Sequence, residues 1–147
     1  MKAISAIEIR NFLPHRAPML MVDLITNISE DYVETTFCIP EDCIFIAKKR
    51  LAEAGLIENA AQTCAAIVAQ NYFTPEKTDV KVIGFIGGIK KLIIKALPLA
   101  NQTLVSKAKL ISKMNTEDFT LCLIACEVFA ENKLLLETQM NLFIKEQ

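Results

Sequence analysis

Two hydrophobic rhythms divide this chain. Between Asp31 and Ile39, Val33, Thr35 and Phe37 alternate with Glu34, Thr36 and Cys38. That two-residue period predicts a strand with one buried face, and Met19–Ile28 reads as its partner across a turn at Ser29-Glu30. Gln102–Met114 repeats the pattern, with Leu104, Ser106, Ala108 and Leu110 opposite Val105, Lys107, Lys109 and Ile111. Asp118–Phe129 and Lys133–Ile144 predict a hairpin around Ala130-Glu131-Asn132. Val80–Ile94 is a further strand, interrupted at Gly87-Gly88 where a bulge or a close backbone approach is expected. A different rhythm runs from Glu53 to about Phe73, before Thr74-Pro75. It predicts a helix rich in alanine whose only charge between Ala54 and Phe73 is Glu58. A helix apolar nearly all round belongs inside a protein. Pro40–Leu51 reads as a loop, and Ser5-Ala-Ile-Glu8 as a capping box opening a short helix that stops before Pro14. Helix, two strands, long helix and then long strands make an α+β domain, an antiparallel sheet wrapped over one buried helix.

The 147 residues predict a single domain over the whole chain. Sixteen Lys+Arg against 17 Asp+Glu leave a formal charge of −1, which argues against nucleic-acid binding through a dense basic patch. Apolar residues make up 52%, enough to offset the entropy of ordering the chain and slightly more than so small a domain needs. An oligomer interface or an apolar ligand channel would account for the surplus. The most apolar stretch carries Glu58, Asn59, Gln62, Thr63, Gln70 and Asn71, which are costly in lipid, so no membrane span is expected. The N-terminal stretch, with Glu8 and Arg10, lacks the apolar run of a signal peptide. Five cysteines without a CxxC pair argue against a disulfide framework or a structural zinc, and predict free, mostly buried thiols in the cytoplasm.

Three blocks carry a resemblance. Leu13-Pro14-His15-Arg16-Ala17-Pro18-Met19-Leu20-Met21-Val22-Asp23 resembles the "LPHR-x-P-hydrophobic-VD" opening of the β-hydroxyacyl-acyl-carrier-protein dehydratases. Leu56-Ile57-Glu58-Asn59-Ala60-Ala61-Gln62 resembles their "L-I-x-E-A-x-A-Q" helix start. Gly84-Phe85-Ile86-Gly87-Gly88-Ile89-Lys90, followed by Asn101-Gln102-Thr103-Leu104, is similar to their third block, closest to the branch associated with aryl-polyene-type pigments. The resemblance implies a hot-dog fold, in which a sheet curls round a long central helix. It further implies dimers formed edge to edge, with an acyl tunnel at the subunit boundary. The implied partners are an acyl-carrier-protein or coenzyme A thioester and a second hot-dog subunit, identical or not. No cofactor is implied.

Dehydration of a 3-hydroxyacyl thioester needs a base for the C2 proton, an acid for the C3 hydroxyl and N–H donors for the thioester oxygen. Glu58 matches the family's helix carboxylate, which the resemblance makes the acid. A lone carboxyl among Leu56, Ile57, Ala61 and Ala65 loses hydration, which suits that task. Gln62, one turn on, either orients Glu58 or satisfies a neighbouring loop. The family's base is a histidine in an "H-F-P-G" loop fourteen residues before the carboxylate, and here that position is Ile44, beside Cys43. Ala52-Glu53 replaces the "P-G" that opens the helix, so the thioester-binding N–H falls to Glu53. The only histidine in the sequence is His15, either a base or thioester contact or an ordinary loop residue. Cys43 would become a nucleophile only if Lys48, Lys49 and Arg50 lowered its pKa. Those basic residues and Lys90-Lys91 would suit an acidic carrier or simply a solvated surface. Gly87 and Gly88 either admit a pantetheine arm or mark the bulge. Three readings follow: a dehydratase, a thioesterase using Glu58, and a non-catalytic partner of an active dehydratase.

Overall fold

The computed structural model describes residues 17–70 and 82–146. The predicted N-terminal helix, His15 and the helix end beyond Gln70 lie outside the described residues. Strands β1 (Leu24–Ser29) and β2 (Tyr32–Cys38) are followed by a miniature hairpin, β3 (Ile46–Ala47) and β4 (Arg50–Leu51). Helix α1 spans Glu53–Ala69, and β5 (Val82–Ile94), β6 (Thr103–Asn115), β7 (Thr120–Ala130) and β8 (Lys133–Glu146) complete the chain. The long strands form one antiparallel sheet in the order β1-β2-β6-β7-β8-β5. The inward residues of β7, among them Cys122, Ile124, Cys126 and Val128, alternate with half-buried or exposed neighbours, as a one-faced strand requires. They pack with Leu56, Ala60, Cys64 and Ile67 of α1. Residues Asn59 to Cys64 are six in succession, all buried. At about 100° per residue they cover the whole circumference, so the helix is enclosed as its composition predicts.

The expected strand Met19–Ile28 starts only at Leu24. The reason lies in the backbone of Met21, whose N–H and C=O are both taken by side chains of α1 rather than by a strand. Asp23 then marks the start of the sheet, its carboxylate accepting the Cys38 N–H at 2.7 Å. The loop expected over Pro40–Leu51 contains the β3–β4 hairpin, turned by Lys48 and Lys49, both at positive φ. Such a two-residue turn normally prefers Asn-Gly, which gave no warning in a Lys-Lys pair. Gly87 sits at a register shift of β5 between Ile86 and Gly88, so the bulge is present. A Cβ at Gly87 would overlap the ring of Phe143, which itself packs on Phe119 with ring centroids 5.2 Å apart. Gly88, by contrast, has open space on that side.

Three of the five thiols, Cys64, Cys122 and Cys126, are buried as expected, whereas Cys38 is exposed and Cys43 half-buried. Burial pushes the Cys64 thiol well up, helped by its hydrogen-bonded neighbour Cys126, so it stays protonated and unreactive.

Two predictions arise here. A Cβ at Gly55 would lie 2.6 Å from Leu51 Cδ1 and 2.8 Å from Phe45 Cβ. The Phe45 Cβ is part of its chain's rigid stem, so Gly55→Ala must part helix and loop. The expected loss is about 1–3 kcal/mol by urea denaturation, despite the better helix propensity of alanine. Burial, followed by the nearby Glu34 carboxylate, pushes the Tyr32 hydroxyl up to about 12. The folded state then holds this proton more tightly than the unfolded chain, so its contribution is intact below about pH 10 and is lost as pH rises towards 12. Ultraviolet titration of a Tyr72→Phe variant, which leaves Tyr32 alone, should give that high midpoint.

Candidate active site

The sequence places a turn just inside α1 where three polar side chains, Glu58, Asn59 and Gln62, stand among apolar ones. Gln62 lies four residues after Glu58 and three after Asn59, spacings that place it beside both. Gln62 is buried, and Glu58 is half-buried at the edge of the enclosed helix. The Gln62 Oε1 accepts the Met21 N–H at 2.7 Å. Its Nε2 donates both to the Met19 carbonyl at 2.8 Å and to Glu58 Oε1 at 2.9 Å. Gln62 therefore does both things that its sequence position allowed: it orients Glu58 and it satisfies a loop backbone.

Asn59, which carries no expectation from the sequence, completes the clamp. Its Nδ2 donates to the Met21 carbonyl at 2.7 Å and its Oδ1 accepts the Ser106 hydroxyl at 2.6 Å. The Thr63 hydroxyl donates to the Asn59 carbonyl at 2.9 Å and lies 2.8 Å from that of Thr35. With the Thr63 proton committed, Thr35 is the donor in that pair. These groups are all buried and all hydrogen-bonded, which is how a polar cluster survives inside a core. The one available signal was polar density: Glu58, Asn59, Gln62 and Thr63 fall within six residues of a helix that is apolar from there to Ala69.

The Met19–Met21 segment thus lies against the helix face that carries Glu58, and the first resemblance block meets the second there. Cys43 joins the same neighbourhood, its thiol 4.0 Å from the Met21 sulfur. The helix opens at Ala52, which has no side-chain cap, and the Ala52 N–H donates to the Phe45 carbonyl at 2.8 Å. Glu53 and Ala54, both exposed, follow in the first turn, where N–H groups have no carbonyl behind them. Ile44, at the position of the family's loop histidine, is 51% exposed. Arg50 Nη1 donates to the Leu97 carbonyl at 2.7 Å, and Lys91 pairs with Glu137 at 3.3 Å. Lys48 and Lys49 form the exposed hairpin turn.

No helix among the described residues is long and apolar enough to cross a membrane. No curated protein sequence matches the chain. Solved structures do. A dehydratase heterocomplex, ApeI:P from Xenorhabdus doucetiae, is 18% identical, with 92% of this chain and 89% of that chain covered at a TM-score of 0.77. The Escherichia coli PaaI protein of the phenylacetic acid degradation operon is 10% identical over 80% of this chain and 79% of that one, at 0.60. A hypothetical thioesterase with coenzyme A from Streptococcus pneumoniae is 9% identical over 84% and 85%, also at 0.60. These likenesses make the fold a hot dog. The model of the ApeP-like family, described as ApeP dehydratase, matches residues 7–147, so the Glu58–Gln62 helix, the loop clamped to it and the sheet around them all lie inside one match: the chain belongs to the ApeP-like dehydratase family.

Proposed function

We propose that this chain eliminates water from 3-hydroxyacyl thioesters, with Glu58 as the acid that protonates the leaving C3 hydroxyl. The observation that carries the reading is the Gln62 amide, which fixes Glu58 Oε1 by a donated hydrogen bond. A carboxyl held in one orientation at the edge of an apolar helix is equipped for directed proton transfer. The base that removes the C2 proton is His15, or a histidine supplied by a partner subunit. His15 lies four residues before Met19, whose carbonyl shares the Gln62 amide with Glu58. The N–H of Glu53, in the uncapped first turn, receives the thioester oxygen as enolate charge develops, aided by the helix dipole. The pantetheine arm passes Gly87 and Gly88, where the open side of Gly88 leaves room for it.

The partner is an acyl-carrier-protein or coenzyme A thioester in the cytoplasm, and the assembly pairs this chain with another hot-dog subunit. Edge strand β5 supports that assembly. Among the described strands it pairs only with β8, and it exposes Phe85, Ile86, Ile89, Leu92 and Ile93. An apolar edge of that length invites strand pairing. The test is to incubate the protein, alone and with a second hot-dog subunit, with a 3-hydroxyacyl thioester. Enoyl product is expected. Free thiol would instead establish a thioesterase. No product in either mixture, with a stable complex formed, would leave a non-catalytic partner.

A further inference from the structure

The acid is held by more than its immediate neighbour. Two short chains of hydrogen bonds meet at the Met21 backbone: Ser106 to Asn59 and Asn59 to the Met21 carbonyl on one side, and the Met21 N–H, in the preceding peptide unit, to Gln62 and Gln62 to Glu58 on the other. Each link fixes the polarity of the next. A flipped Gln62 would set its NH2 against the Met21 N–H and its oxygen against both the Met19 carbonyl and Glu58 Oε1, so only one orientation satisfies all three. That orientation depends on where the Met21 N–H points, and the same residue's carbonyl is held by Asn59. Asn59 is locked in turn, because its Nδ2 must face the Met21 carbonyl, leaving Oδ1 to the Ser106 hydroxyl. Asn59 and Ser106 are fully buried, so no water competes at the head of the relay.

From this we infer that Asn59 is a positioning residue for Glu58, acting through the Met21 backbone and Gln62 to hold the carboxyl in one orientation. The inference rests on the reading of Glu58 as the acid. It is tested on the full chain, assembled with its partner subunit where turnover requires one, by two readouts.

The first is kinetic. Asn59→Ala should lower kcat about 10-fold with KM changed less than about twofold, since misorientation affects the proton transfer and not ground-state binding. Ser106→Ala should give a smaller loss in the same direction. In a Gln62→Ala background, Asn59→Ala should change kcat by less than about twofold, because its path to Glu58 is already cut. The second readout needs no activity: hydrogen exchange of the Gln62 side-chain amide by NMR. Its protection should be strong in the parent and lost in both Asn59→Ala and Ser106→Ala. Unchanged Gln62 protection in the two folded variants would overturn the inference. So would an equal kcat loss with and without Gln62. Turnover unaffected by Glu58→Gln would instead remove the acid assignment, and the exchange measurement would still decide the relay.

Discussion

Glu58→Gln is expected to cut the turnover of a 3-hydroxyacyl thioester by roughly 10²–10⁴-fold, the usual contribution of a positioned acid. The substitution keeps the shape, and its amide oxygen still accepts the Gln62 N–H that Glu58 Oε1 accepts at 2.9 Å. Stability should therefore change by no more than about 1 kcal/mol, measured by urea denaturation. The contrast between the two readouts matters, because a carboxylate with a purely structural role would show the reverse. Turnover unchanged by the substitution would remove Glu58 from the mechanism.

The second large effect is expected at the sheet edge. Replacing Phe85 and Ile89 together by Asp puts two charges on the free edge of β5, where the parent side chains are 57% and 41% exposed. Exposure means that folding of the chain loses little. Pairing with a second hot-dog subunit should lose at least about 2 kcal/mol, or roughly 30-fold in affinity, because a buried apolar centre cannot accept unpaired carboxylates. Sedimentation of the mixed subunits would show it as dissociation at concentrations where the parent remains assembled. Association unaffected by the double substitution would place the interface elsewhere.

Much of the fold was legible because periodicity is local. The alternation of Val33, Thr35 and Phe37, and the run of alanines about Glu58, each report one element's surroundings without reference to any other. The β6–β7–β8 meander followed from the same reading, within a residue or two at most ends. The failures were of another kind. Met19–Asp23 has the composition of a strand, yet the backbone partners of Met21 lie on a helix some forty residues away, at Asn59 and Gln62. Lys48-Lys49 has no turn signature and still turns, because Arg50 is tied to Leu97 and the Lys49 carbonyl to the Ala100 N–H. In both places long-range hydrogen bonds overrode local preference.

The sequence by itself determined the class of the molecule: an enclosed alanine-rich helix, one-faced strands around it, and a carboxyl, Glu58, on that helix. Those properties follow from side-chain chemistry and spacing alone. Tertiary structure decided what that carboxyl is attached to. The Ser106–Asn59–Met21–Gln62 relay joins residues from a strand, a helix and a loop that are far apart in the chain. Hydrogen bonds are directional and short, so their partners are set only once packing has brought the groups within about 3 Å.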